Sequence, residues 1–216
     1  MSLIRKFFAC SILAIAIGMG LTSRLVADTR GFQVVVEEAD GSAVNLYQNS
    51  YALLIGASNY EDPNWTDLES IPGELKKVEN LLQGQGFMVE KHLDPDADEM
   101  RGLFEGFINR YGYDPYNRLL FFYSGHGFTR QDGAKGYLVP VDAPDPYRAE
   151  REFLQKALPM SQILAWARQS EAKHSLYLFD SCFSGTIFKT RALADRPLHI
   201  SRATVQPVRQ FITAGG

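Results

Sequence analysis

Residues 175–185 read SLYLFDSCFSG, an apolar run over 176–179 that breaks at Asp180-Ser181-Cys182 and then meets Gly185. Four to eight apolar residues closed by turn formers predict a fully buried strand, with Cys182 just beyond its carboxyl end. Open α/β sheets place their ligands at that edge. Residues 118–127, RLLFFYSGHG, have the same layout: a strand over 119–123 runs into Ser124-Gly125-His126-Gly127. Two neighbouring parallel strands of this kind would bring the His126 imidazole and the Cys182 thiol to one edge of one sheet.

Working outward, strand and helix signals alternate along the chain. Residues 51–58, YALLIGAS, are apolar on both faces, as parallel strands are. A loop with Asn59, Pro63, Asn64 and Trp65 leads to a helix over about 72–83, with Pro72 in its first turn and Leu75, Val78 and Leu82 on one face. Gly84 and Gly86 end it, and 87–93 form a strand. Asp96 and Glu99 stand in capping-box spacing before a helix with Met100, Leu103, Phe104, Phe107 and Ile108 on one face. Beyond the His126 strand, 136–141 (GYLVPV) predict a short strand and 159–169 a third helix. The stretch 186–208 is a long basic connection with Lys189, Arg191, Arg196 and Arg202, and 210–214 (QFITA) predict the last strand. The alternation indicates a doubly wound α/β sheet.

Residues 1–27 read as an export signal: Arg5 and Lys6 precede an uncharged run over 7–21, and cleavage after Ala27 would move the net charge from −3 to −6. Leu25 is bulky for that cleavage site, so an uncleaved anchor over residues 4–21 stands beside it, although the run is short for a span. The expected location is therefore periplasmic or secreted, or membrane-anchored through this segment alone. Cys10 follows no lipobox, so no lipid anchor is expected. Residues 28–49 read as a small β extension with a hairpin at Asp40-Gly41, and 50–216 as the main domain.

The 216 residues, 45% hydrophobic and 22% charged, suit one globular domain. A net charge of −3 leaves no basic footprint, which disfavours nucleic acid as a partner. Cys10 and Cys182 are the only cysteines, so the folded part has one and forms no internal disulfide. A lone cysteine is more often a small buried hydrophobe. The glycine-flanked position and the matching His126 string favour a nucleophile.

The strings YSGHG and DSCFSG together resemble the caspase-like cysteine peptidases, and among them the bacterial metacaspase-type members. His126 precedes Cys182 by 56 residues, the caspase order and the reverse of the papain one. DSCFSG departs from the QACRG-like signature of the animal caspases, so their aspartate specificity is not carried over. The resemblance spans roughly 51–216. It implies a mostly parallel sheet flanked by helices, and a cysteine endopeptidase acting on proteins or peptides without a cofactor. Such folds continue past the strand at which this chain ends, so the carboxyl-terminal portion that completes the cleft is expected to be missing.

The resemblance also assigns roles. A thiol is mostly protonated at neutral pH and needs a base, so His126 would take the Cys182 proton and later protonate the leaving amine. Backbone amides at Gly127 and Cys182 would form the oxyanion hole. Asp180 would line the primary pocket and select Arg or Lys. Glu74 stands where the family usually has an aspartate facing the same pocket. Bland readings stand beside these: an Asp180 side chain that only hydrogen-bonds its turn, and a Glu74 that is an ordinary helix residue. Some metacaspases use calcium, and the acidic cluster at Asp96, Asp98 and Glu99 invites that reading; helix capping is favoured, because first-turn carboxylates satisfy free N–H groups. His92, His174 and His199 lack metal-ligand spacing, and Ser124 and Ser184 read as loop-shaping residues. The competing class is a catalytically idle caspase-fold interaction or signalling module. A metal-dependent hydrolase centred on His126 ranks last for want of ligands.

Overall fold

The computed structural model describes residues 34–37, 43–130, 135–183 and 208–215. The expected export signal or anchor (1–27), the hairpin turn at Asp40-Gly41, and nearly all of the basic connection, with Ser184, Gly185 and His199, lie outside the described residues. Among the described residues no helix is long and apolar enough to cross a membrane.

β1 (Val34–Glu37) and β2 (Ala43–Tyr47) pair antiparallel as a sheet of their own. β3 (Asn49–Gly56) leads through α1 (Ile71–Gly84) to β4 (Met88–Leu93), and α2 (Ala97–Tyr111) returns the chain to β5 (Asn117–Ser124). β6 (Gly127–Arg130), β7 (Lys135–Leu138) and β8 (Leu158–Pro159) form a small antiparallel sheet, with α3 (Glu150–Lys156) between the last two. α4 (Met160–Gln169) leads to β9 (His174–Phe183), and β10 (Val208–Gly215) is the last strand. The main sheet has the order β10-β9-β5-β3-β4, and each of its pairings is parallel.

The step from β3 to β4 runs one way across the sheet; the steps from β4 to β5 and from β5 to β9 run the other. Right-handed crossovers then put α1 on one face and α2 and α4 on the opposite face. On the α1 face Ile71, Leu75 and Leu82 pack on Ala52, Leu54 and Leu120. Gly56 permits that approach: a Cβ there would stand 2.7 Å from Ile71 Cγ2 and 2.9 Å from Leu75 Cδ2. On the other face Phe104, Phe107 and Trp166 meet Phe121, Tyr123, Tyr177 and Phe179. Phe121 stacks on Tyr177 at 4.4 Å, and Tyr177 on Phe211 at 4.5 Å. Burying each such ring stabilises the fold by roughly 2–3 kcal/mol.

The capping box forms as its spacing predicts. Asp96 accepts from the amides of Asp98 (3.0 Å) and Glu99 (2.9 Å), and Glu99 accepts from the Asp96 amide (3.3 Å). Four expectations need correction. β9 is longer than 176–179 and is buried on one face only: Ser175, Tyr177 and Phe179 are buried, while Leu176 and Leu178 remain half-buried because α1 lies over β3 and β4. The strand expected over 136–141 stops at Leu138, since Pro140 has no N–H to continue a ladder. α3 and β8 give no clear periodic signal and were not expected, so the helix over 160–169 is the fourth rather than the third. The last strand starts at Val208, paired with His174, two residues before the apolar run.

Candidate active site

β5 and β9 run in register to the end of β5. Their last paired residues are Ser124 and Asp180, so His126 and Cys182 each lie two positions past the same rung. The Gly125 amide donates to the Asp180 carbonyl at 3.3 Å and ties the end of β5 to β9. Cys182 is not beyond its strand, as expected from sequence, but within it. β10 continues alongside after β5 has ended, and Phe183 pairs with Gly215 beyond an irregularity in the ladder.

The chain can turn toward His126 because residue 125 has no side chain. A Cβ there would stand 2.6 Å from the Tyr123 hydroxyl and 3.1 Å from the Ala57 Cβ. That hydroxyl, fully buried beneath the turn, lies 2.9 Å from the His126 carbonyl and 3.0 Å from that of Val139. Above it, the His126 amide donates to the Tyr60 hydroxyl at 2.8 Å. The imidazole is half-buried, with the Tyr60 ring at 4.8 Å and the Trp65 ring at 5.1 Å. Burial pushes the Tyr60 phenol up to about 12, so it stays protonated at neutral pH.

The imidazole Nε2 stands 2.7 Å from the Thr66 carbonyl oxygen. A carbonyl only accepts, so Nε2 carries the hydrogen and Nδ1 is the basic nitrogen of the neutral ring. The histidine is thus oriented by a main-chain atom of the β3–α1 loop.

That loop is held from below by Asp94. Its carboxylate accepts from the Ser58 amide (2.6 Å), the Ser58 hydroxyl (3.0 Å), the Asn59 amide (3.1 Å) and the Asn59 side-chain amide (2.6 Å). Burial alone would raise the Asp94 carboxyl; these donors outweigh it and hold it below the usual carboxylate range. Asp94 adopts φ +55°, the left-handed region that Asp and Asn tolerate better than other side chains. Asp67 accepts from the Tyr60 amide at 2.9 Å, and Trp65 Nε1 donates to the Ala143 carbonyl at 3.0 Å. None of Tyr60, Thr66 and Asp94 is singled out by sequence reasoning. The only signal for Tyr60 and Thr66 is the density of polar and aromatic residues in SNYEDPNWTD, and Asp94 lies outside that stretch.

The caspase-domain family model matches residues 49–210, three quarters of the chain and both motif strands. The chain belongs to the caspase-domain family. Among curated relatives, the human "Mucosa-associated lymphoid tissue lymphoma translocation protein 1" (Homo sapiens) is 33% identical over 138 residues. Its homolog from Mus musculus is 31% identical over 138 residues. Each match covers 63% of this chain and 15% of the relative, so the chain corresponds to a small part of those proteins.

Within this caspase domain, residue alternation settles the faces of the acidic pair. Asp180 is level with Ser124 and Gly56 and follows Leu176 and Leu178, so it lies on the α1 face at the carboxyl edge of the sheet. Glu74 sits in the first turn of α1, above the end of β3. Asp180 is exposed and Glu74 half-buried, and neither carboxylate has a hydrogen-bond or ion-pair partner among the described residues. The bland reading of Asp180 as a side chain that bonds its own turn is therefore not what is found; its main-chain carbonyl serves the turn instead. Gly127 opens β6 directly after the histidine, and Ser124 is buried with its carbonyl accepting from Ala57 at 2.9 Å. His92 lies in β4, level with Ile55, and His174 at the amino edge of the sheet, opposite to that of His126. Among the described residues no group of three His, Cys, Asp or Glu side chains is arranged to hold a metal.

Proposed function

We propose that this caspase domain is a cysteine endopeptidase in which His126 and Cys182 form the catalytic dyad. The observation that supports this reading is that both residues stand two positions past the Ser124–Asp180 rung, with Nε2 of His126 engaged by Thr66 and Nδ1 left as the base. Nδ1 takes the thiol proton, the thiolate attacks the peptide carbonyl, and the protonated ring then gives its proton to the leaving amine. Water attacks the resulting thioester, with the ring again as base, and frees the acid. The Gly127 and Cys182 amides hold the oxyanion in both steps, each worth about 10²–10³ in rate if it acts as such donors do elsewhere.

The same reading, in line with the metacaspase resemblance, has Asp180 accepting an Arg or Lys side chain before the cut bond, with Glu74 adding a second negative charge. Two carboxylates without cationic partners among the described residues, on one face of the edge, support it. It also has the enzyme cutting its own basic connection over 186–208, where Lys189, Arg191, Arg196 and Arg202 are side chains that pocket would take.

Hydrolysis of Arg-, Lys- and Asp-coumarylamides by the full chain tests the reading. Arg and Lys substrates should turn over, Cys182→Ala and His126→Ala should each lose at least about 10³-fold in kcat/KM while staying folded, and Asp180→Asn should erode the basic preference. Appreciable turnover by either dyad variant ends the assignment. Mass spectrometry of incubated wild type and Cys182→Ala reads self-cleavage: new termini after those basic residues should appear in wild type alone.

A further inference from the structure

The geometry points to a subsite for the leaving half of the substrate, lined by Trp65, Phe128 and Tyr147, that takes an aromatic or large apolar side chain just after the cut bond. It rests on the dyad reading given above and names a specificity which that reading leaves open.

An aromatic row starts at the histidine and runs outward. The Trp65 ring lies 5.1 Å from the His126 ring and stacks on Phe153 at 6.4 Å. Phe153 meets Phe128 edge-on at 5.0 Å, and Phe128 meets Tyr147 edge-on at 5.8 Å. Phe153 is fully buried and acts as the floor; Trp65 and Phe128 are half-buried; Tyr147 is 88% exposed. Trp65, Phe153 and Phe128 pack with the core on the α2 and α4 face. Asp180 and Glu74 lie on the other face, so the dyad stands at the edge between a cation-accepting side and an aromatic side.

Chemistry sets the direction of the chain across that edge. The residue before the cut bond belongs with Asp180, and the amine that leaves takes its proton from His126. The leaving half therefore begins at the imidazole and passes over Trp65 toward Phe128 and Tyr147.

Tyr147 itself is an exposed ring on a pinned backbone. Its amide donates to Asp145 Oδ1 at 2.9 Å, and the Asp145 amide donates to Asp62 Oδ2 at 2.8 Å, joining this turn to the loop that carries Trp65. A rigidly mounted tyrosine loses little entropy when a partner covers it, which suits a binding contact. The neighbouring charges do not select a charged side chain, because they pair among themselves: Arg130 with Glu150 at 2.6 Å and Arg148 with Asp145 at 3.6 Å. What remains is apolar area at the start of the leaving half.

The experiment uses the full chain and internally quenched peptides identical through an Arg before the cut, followed by Phe, Leu, Gly or Asp. Wild type should favour Phe and Leu over Gly and Asp by about tenfold in kcat/KM, the discrimination one apolar pocket supplies. In Tyr147→Ala and Phe128→Ala that ratio should fall below about threefold, while Tyr113→Ala, exposed in the connection between α2 and β5, should keep it. A ratio measured within one preparation cancels any loss of folded protein. A wild type without the preference, or variants that retain it, overturns the subsite. An Arg-coumarylamide, which has no residue after the bond, separates the two readings. If it is cleaved and the preference is absent, only the subsite falls; if neither substrate class is cleaved, the dyad reading falls and takes the subsite with it.

Discussion

His126 Nε2 stands 2.7 Å from the main-chain carbonyl of Thr66, a residue 60 positions earlier in the chain. A carbonyl fixes the tautomer and the ring orientation without placing a second charge beside the imidazole. The β3–α1 loop is thereby part of the candidate site, and whatever holds that loop in shape also holds the histidine.

Tyr60→Phe removes the acceptor of the His126 amide, which is held 2.8 Å from the hydroxyl. An amide left without a partner costs about 1–3 kcal/mol. Urea denaturation should show that loss, and kcat of a cleaved substrate should fall with KM little changed, because the ring is displaced rather than the substrate pocket. Wild-type stability in Tyr60→Phe would mean that the amide finds another acceptor.

Gly125→Ala drives a methyl to within 2.6 Å of the Tyr123 hydroxyl and 2.9 Å of its ring carbon. Overpacking of this kind destabilises by roughly 1–3 kcal/mol. Tyr123→Phe removes the nearer of the two colliding atoms, so the double variant should lose less than the sum of the single losses. Strict additivity in a double-mutant cycle would show that the collision is not with Tyr123.

Asp94→Asn preserves the left-handed backbone and removes the negative charge from four donor contacts. The Asp94 carboxyl is depressed in the folded state, so its contribution is present above the ordinary carboxylate value of 3.8 and is lost as pH falls through the lowered one. At neutral pH the variant should be less stable by about 1–2 kcal/mol, a modest figure because the group is partly solvated. The gap should close on acidification. A gap that persists at low pH would mean that shape rather than charge holds the loop.

His174 sits at the amino edge of the sheet, where its Nδ1 is hydrogen-bonded with the Tyr47 hydroxyl and Arg118 and Lys173 are the neighbouring cations. Burial, and then the Lys173 charge, lower its proton affinity below the ordinary 6.5. The unfolded chain therefore binds the proton more readily, and stability falls as pH drops through 6.5. His174→Gln should flatten that fall between about pH 7 and pH 5 in denaturant titrations. An unchanged slope would place the acid sensitivity elsewhere.

Much of this protein follows from its sequence because the signals are local. The apolar runs of β3, β5 and β9, the capping box of α2 and the sequence order of His126 and Cys182 are properties of neighbouring residues, and each element forms where its pattern stands. The family follows from the same two motif strings. Tertiary structure alone decided the rest. The rung that levels Ser124 with Asp180 depends on how two strands 50 residues apart slide along each other, and periodicity carries no register. The partner of His126 is a main-chain carbonyl, which every residue has, so no side-chain motif could mark Thr66. The half-exposure of Leu176 and Leu178 reflects where α1 lies across the sheet, not their own apolar character. Asp180 and Glu74 come to one face, and the Trp65–Tyr147 row to the other, because crossover handedness assigns helices and loops to sides of a sheet after the strands have paired.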